Sequence, residues 1–315
     1  MNRKNDTKGI NRREFLQTGG KMAAVAMFMG VGTSQLLGAF NPGSSKTSIG
    51  SVTLNNGVKM PVLGFGTLYL NEELGETSVA DAISLGYRLI DTATIYGNEK
   101  AVGAGIKRSG INRKELFVTS KLWVDDSGYE KGKKAFQTSL DKLGLDYLDL
   151  YLIHRPRGDV KGSWKAMEEL HKEGKIRAIG ISNFEANHID ELLSYATVKP
   201  AVNQIETHAF FQQEKARNEL KKYGIQMEAW SPFAQGRNEL FTNEILAVIG
   251  KKYNKTNAQV SLRWHYQRGI VAIPRSSQNA HRVENLNIFD FELDENDMKT
   301  ISGLDLNKTQ FPEWE

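Results

Sequence analysis

The chain has 315 residues, 40% apolar and 25% charged, a length and composition that suit one large α/β domain or two ordinary ones with a sizeable core. Its net charge of +4 sits in residues 1–21, where Arg3, Lys4, Lys8, Arg12, Arg13 and Lys21 face only Asp6 and Glu14, leaving 35 basic and 35 acidic residues in the body. A neutral body excludes nucleic-acid binding driven by charge. The absence of cysteine excludes disulfides and thiolate chemistry.

The first element in chain order is a leader. Its basic start precedes an uncharged run from Met22 to Ser45 rich in Ala, Gly and Met, the layout of an export signal. Within it NRREFL (Asn11 to Leu16) resembles a twin-arginine signal, so residues 1–45 are expected to be a leader and linker. The protein is then expected to meet the twin-arginine export machinery and to be periplasmic or membrane-tethered. Next, SVTLNNGVKMP (Ser51 to Pro61) places two short runs around Asn56-Gly57, a strong hairpin signal. Eight apolar runs follow, VLGFGT, YRLIDTA, LFVTSKLW, YLDLYLIH, IRAIGISN, AVNQIE, IQMEAWS and IVAIPRS. They alternate with amphipathic stretches such as KGSWKAMEELHKEG, where Trp164, Met167, Glu168 and His171 keep helical spacing and Gly174 stops the helix. This pattern predicts a (β/α)8 TIM barrel over 46–315, with the hairpin closing the barrel bottom. A doubly wound sheet would need a G-x-G-x-x-G turn, and Gly64-Phe65-Gly66-Thr67-Leu68 lacks its third glycine.

In such a barrel the polar residues ending the runs converge on one rim: Thr67, Asp91 with Tyr96, Lys121, His154, Ser182-Asn183, Gln204, Trp230-Ser231 and Arg275-Ser276. The set offers one Asp and no second carboxylate, against a glycosidase, and a lone His154, against a metal hydrolase. No metal is expected. Tyr96 beside Lys121 suggests a task, because an ammonium stabilises the phenolate and pulls the phenol pKa down from about 10. Asp91 would hold Lys121, and His154 would orient a carbonyl. A proton donor aimed at a carbonyl oxygen is half of a reduction, and the other half needs a nicotinamide. Trp230 offers a stacking face, Ser182, Asn183 and Gln204 can clamp a carboxamide, and Arg275 with Ser276 can hold a phosphate.

From about Ser51 to Leu306 the chain resembles the aldo-keto reductase family, in its bacterial diketogulonate-reductase-like branch. GFGTLYL, DTATIYGNE, TSKLW, YLIH, GISNF, NQIE, EAWSPFAQGR, IPRS and EN-x3-FDFEL follow in the family's order. The resemblance implies Tyr96 as general acid, tuned by Asp91 and Lys121, with His154 orienting the substrate. It implies NADPH over NADH, with Arg275 and Ser276 on the 2′-phosphate and Glu284 and Asn285 at the adenine. Gly66, Thr67, Ser231, Pro232 and Phe233 fall in the cofactor-binding motifs. Trp123, Leu68, His154 and Arg155 would line the pocket of a small carbonyl substrate, and the enzyme is expected to act as a monomer.

Four departures bear on this. Arg275 stands where the family often has Lys, which still suits a phosphate. The family's arginine six residues later is His281 here, with Arg282 one place on, turned by about 100° on a helix. Arg155 replaces the usual Trp or Gln after His154 and could favour acidic or polyhydroxylated substrates. The segment after Leu306 is short, which implies an open site. The competing function is a redox-sensing subunit of a membrane partner that binds nicotinamide with little turnover; a barrel hydrolase is disfavoured by the missing carboxylate pair.

Overall fold

A computed structural model describes residues 49–314. The expected leader and linker lie outside these described residues, and none of the described helices is long and apolar enough to cross a membrane. Strands β1 (Ser51–Thr53) and β2 (Lys59–Pro61) form the antiparallel hairpin. Its turn is one residue longer than the two-residue loop an Asn-Gly pair favours. The Gly57 N–H donates to Leu54 O, Leu54 and Val58 close the loop at 2.9 Å, and Gly57 takes φ 84°.

Eight parallel strands follow, each inside one of the eight apolar runs: β3 (Gly64–Gly66), β4 (Leu89–Asp91), β5 (Phe117–Leu122), β6 (Leu148–Ile153), β7 (Ile176–Ser182), β8 (Val202–Glu206), β9 (Gln226–Trp230) and β10 (Val271–Ala272). They pair in sequence order from β3 to β10. The ring closes where Leu63 bridges Ala272 and the Gly66 N–H donates to Pro274 O at 3.0 Å. Gly66 permits that closure, because a Cβ there would lie 2.8 Å from Ile273 O. This is the (β/α)8 barrel that the alternation predicts.

Alternation along the strands divides the core in two. Leu89, Phe117, Leu150, Leu152, Ala178, Val202, Val271 and Ile273 pack inside the barrel, and Leu54 and Met60 of the hairpin join them from below. Asn55 and Asn56 fasten the hairpin by donating to Pro200 O (2.8 Å) and Arg177 O (3.0 Å). The opposite parity, with Phe65, Ile90, Val118, Tyr151, Ile179, Ile205 and Met227, packs outward against the helices.

The helices are α1 (Glu72–Leu85), α2 (Glu99–Ser109), α3 (Tyr129–Leu143), α4 (Val160–Lys172), α5 (Ala186–Leu193), α6 (Glu214–Tyr223), α7 (Glu244–Tyr253), α8 (Asn257–Gln267), α9 (Asn279–Leu286) and α10 (Glu295–Ser302). Helix α3 shows the logic: Ala135, Phe136, Ser139, Leu140 and Leu143 recur at helical spacing and are all buried. Trp164 on α4 and Trp264 on α8 are core residues.

Candidate active site

The same parity that sends Leu89 and Phe117 inward points Asp91, Lys121, His154, Ser182, Gln204 and Trp230 toward the barrel axis at the strands' C-terminal ends. After β4 a single 3-10 turn, Thr94–Tyr96, brings Tyr96 over this end. Gly97 ends the turn at φ 71°, a conformation any side chain would strain. Asn98 then locks it: its Nδ2 donates to Thr67 O (2.7 Å) and Leu70 O (3.0 Å), while its Oδ1 accepts from Thr92 Oγ1. Thr94 Oγ1 donates to Lys121 O at 2.9 Å, tying the turn to β5.

Lys121 Nζ uses all three donors, on Asp91 Oδ1 (2.6 Å), Thr92 O (2.8 Å) and Tyr96 Oη (3.5 Å). Its side chain is fully buried, as is Asp91's to within 2%. Burial acts to lower the Lys121 pKa, but the opposing effects, led by the charge of Asp91, raise it on balance, so the ammonium is retained. For Tyr96 the outcome differs from the sequence-based expectation. Burial raises the phenol pKa above 10, and Lys121 only offsets part of that rise. The phenol therefore keeps its proton across the neutral range, with a cation in place to receive the phenolate.

His154 ends β6 with its ring 5.0 Å from Trp123 and 6.0 Å from Tyr96, both edge-on. Burial, then the charges of Lys121 and Arg155, hold its pKa well below 6.5, so the imidazole is neutral. Its Nδ1 is buried with no hydrogen-bond partner among the described residues. Arg155 is half-buried at the rim, and its charge reaches both His154 and Tyr96. Leu68, partly buried, follows β3 on the same face, and Trp123 is buried at the end of β5.

The residues expected to clamp a carboxamide form one network. Ser182 Oγ donates to Gln204 O (2.7 Å), Asn183 Nδ2 donates to Ser182 Oγ (2.9 Å) and His154 O (3.0 Å), and Trp230 Nε1 donates to Asn183 Oδ1 (2.8 Å). Asn183 sits at φ 62°. Thr67 Oγ1 donates to Asp91 O, so Thr67 positions β4, and Gly66 lies at the closure. Ser231 begins a loop in which Ser231, Ala234, Gln235, Asn238 and Glu239 all take positive φ, with Pro232 and Phe233 buried beneath. Such clustered strain is typical of a ligand clamp. Arg275 is exposed at the rim with a single 3.4 Å bond to Tyr69 O. Ser276 Oγ accepts from the Gln278 N–H ahead of α9. On that helix Glu284 accepts from Thr256 Oγ1, and Asn285 is buried beside Tyr87. Arg282 turns inward, 2% exposed, to Asp81 Oδ2 (3.0 Å) and Ser276 O (3.1 Å), while His281 is exposed.

Two carboxylates at this end escaped the sequence reading, which counts only Asp91. Glu228 on β9 is buried, and its Oε2 accepts from Gln204 Nε2 at 2.9 Å. A charged residue inside the run IQMEAWS needs a partner by the argument that singles out Asp91, so the signal was present. Glu206 ends β8 and accepts from His208 Nε2, Thr309 Oγ1 and the Gln310 N–H, while Asn238 Nδ2 reaches Gln310 Oε1 at 2.7 Å. Thr309 and Gln310, beyond α10, thus reach the C-terminal end of β8 and the 231–239 loop. His171 and His265 are structural: His171 Nδ1 lies 2.8 Å from Ile176 O, and His265 bridges Thr207 O and Ser261 O.

Comparison with known proteins agrees with this geometry. The model of the Aldo/keto reductase family matches residues 62–306. The chain belongs to that family. It is 51% identical to a glyoxal reductase of Bacillus subtilis (strain 168) over 264 residues, 83% of this chain and 95% of that protein. It is 40% identical to a methylglyoxal reductase of Escherichia coli (strain K12), covering 83% of this chain and 96% of that one. Among solved structures, an aldo-keto reductase from a Medee basin deep-sea metagenome library superposes with a TM-score of 0.82 at 46% identity, over 84% of this chain and 98% of that one. An aldo-keto reductase of Bombyx mori, in complex with NADP, gives 0.80 at 33% identity, over 84% and 95%.

Proposed function

We propose that this reductase uses NADPH to reduce a small aldehyde or ketone to the alcohol, with Tyr96 giving the proton and 2-oxoaldehydes such as methylglyoxal the favoured class. The observation that carries the proposal is the buried Asp91–Lys121–Tyr96 chain beside a neutral His154. Of the two candidate donors, His154 has no imidazolium proton to give near neutrality, whereas Tyr96 has its phenol proton and a cation ready for the phenolate. The neutral His154 ring stands beside Tyr96 and Trp123, where an imidazole can orient a carbonyl.

The residues present fit a nicotinamide dinucleotide phosphate. Arg275 offers an exposed guanidinium fork for a phosphate, Trp230 a fixed indole face, and the Ser182–Asn183–Gln204 network amide and hydroxyl groups for a carboxamide. When bound, that cofactor supplies the hydride. The chain orients the carbonyl through His154 and Trp123 and moves the Tyr96 proton to its oxygen. The relatives' names point to dicarbonyls, and the charge of Arg155 at the rim suits an electron-rich or acidic group next to the reacting carbonyl. The test is NADPH oxidation with methylglyoxal, glyoxal, an aromatic aldehyde and a keto acid. Turnover with methylglyoxal is expected, and none with any of the four would refute the proposal. No feature of the site favours the redox-sensing alternative. We further propose that residues 1–45 direct export by the twin-arginine route; N-terminal sequencing of protein from fractionated cells would show a full-length cytoplasmic chain if this is wrong.

A further inference from the structure

Glu228 is the buried carboxylate that the proton-donating chain does not use. It stands in direct register with Gln204 on the neighbouring strand. Gln204 Nε2 donates one hydrogen to Glu228 Oε2 and the other to Asp91 Oδ2, each at 2.9 Å. Both amide hydrogens are thus committed to carboxyl oxygens, and a flipped amide would set oxygen against oxygen twice. The second oxygen of Glu228, Oε1, is buried without a hydrogen-bond partner among the described residues. An unshared oxygen costs far less on a neutral acid than on a carboxylate.

We propose that Glu228 is a positioning residue for the reduction: as a neutral acid it fixes the Gln204 amide so that its oxygen is left as an acceptor, and it adds no second negative charge beside the Asp91–Lys121 pair. The inference rests on the reductase reading of this site. Its electrostatics agree. Burial, and then the charge of Asp91, push the Glu228 pKa up to about 8, against the Gln204 hydrogen bond and the charge of Lys121. The strands on either side bring no further charge into register, since β8 meets it with Gln204 and β10 with Val271. Asp91 from β4 and Lys121 from β5 are the charged groups that act on it. As pH rises through about 8, Glu228 ionises, shares Lys121 with Asp91 and tightens the hold on the Tyr96 proton. Tyr96 itself titrates above 10. An alkaline fall in turnover near pH 8 is therefore expected, arising from Glu228 and not from the donor.

The experiment compares the wild-type protein with Glu228→Gln and Glu228→Leu. It reads NADPH binding by fluorescence titration and the pH dependence of kcat with methylglyoxal, with circular dichroism as the folding control. Glu228→Leu releases the amide and should weaken NADPH binding by about tenfold, the scale of one charge-assisted hydrogen bond. Glu228→Gln still accepts from Gln204 and cannot ionise. It should restore NADPH affinity and move the alkaline limb upward by about one pH unit or more. An unchanged limb in Glu228→Gln, or wild-type NADPH affinity in a folded Glu228→Leu, overturns the proposal. If Glu228→Leu does not fold, the pH profile of Glu228→Gln decides alone. If the wild-type protein reduces no carbonyl, the reductase reading fails instead, and the NADPH titrations still decide whether Glu228 positions Gln204.

Discussion

Removing one half of the Asp91–Lys121 pair gives the sharpest energetic prediction. The two side chains are 0% and 2% exposed and 2.6 Å apart, so solvent does little to screen what Lys121→Met would leave behind. Breaking a buried pair on one side costs about 3–5 kcal/mol, because the remaining charge is buried without compensation. Two features adjust that figure. Gln204 continues to donate to Asp91 Oδ2, which softens the loss. Burial already raises the Asp91 pKa, so without Lys121 the carboxyl takes up a proton, and the cost shrinks as pH falls. We expect Lys121→Met to lower unfolding free energy by about 3 kcal/mol at pH 7 and by less at pH 5. The double variant Asp91→Asn/Lys121→Met, with neither charge left, should lie within about 1 kcal/mol of the parent. Urea unfolding of the four proteins closes the cycle. A Lys121→Met penalty below about 1 kcal/mol, or a double variant as unstable as the sum of the singles, would refute the reasoning.

Glu228 predicts the opposite slope with pH. Its folded pKa, about 8, lies above the ordinary carboxylate value, so its contribution is full below about pH 4.5 and is lost as pH rises through 8. In urea unfolding Glu228→Gln should therefore gain on the wild type between pH 5 and 8, by an amount on the order of a few kcal/mol, and parallel curves would contradict the assignment. At the cofactor rim, Arg275→Ala should raise the KM for NADPH about tenfold or more and leave that for NADH nearly unchanged. His281→Arg should lower the NADPH value, because Arg282 is already tied to Asp81. Steady-state kinetics with both cofactors checks the two together. Gly66→Ala would set a Cβ 2.8 Å from Ile273 O and should cost about 1–3 kcal/mol by forcing apart the closing strands, read as a lower urea midpoint.

The barrel was legible because its strands are short buried runs between amphipathic helices, and every observed strand falls inside its expected run. Asp91, Lys121 and His154 could be picked out because each is a polar residue near the end of an apolar run, and Tyr96 because it follows Asp91 on the next loop. That His281 and Arg282 point about 100° apart on a helix was legible, but which of them turns inward was not. What the sequence could not convey depends on register and burial. The Gln204 link to both Asp91 and Glu228 exists only once β8 and β9 are aligned and the barrel brings β4 across to meet them. The direction of the Tyr96 shift depends on how deeply the phenol itself is buried, which no spacing reveals. The hold of Thr309 and Gln310 on Glu206 joins residues about a hundred positions apart, with no local pattern to mark it.

The central claim is that Tyr96 delivers the proton. Tyr96→Phe keeps the ring and removes only the hydroxyl that faces Lys121. Measured as NADPH oxidation with methylglyoxal at pH 7, its kcat should fall by about a hundredfold or more, with NADPH affinity by fluorescence titration unchanged. A variant that reduces methylglyoxal at the parental rate would contradict the account.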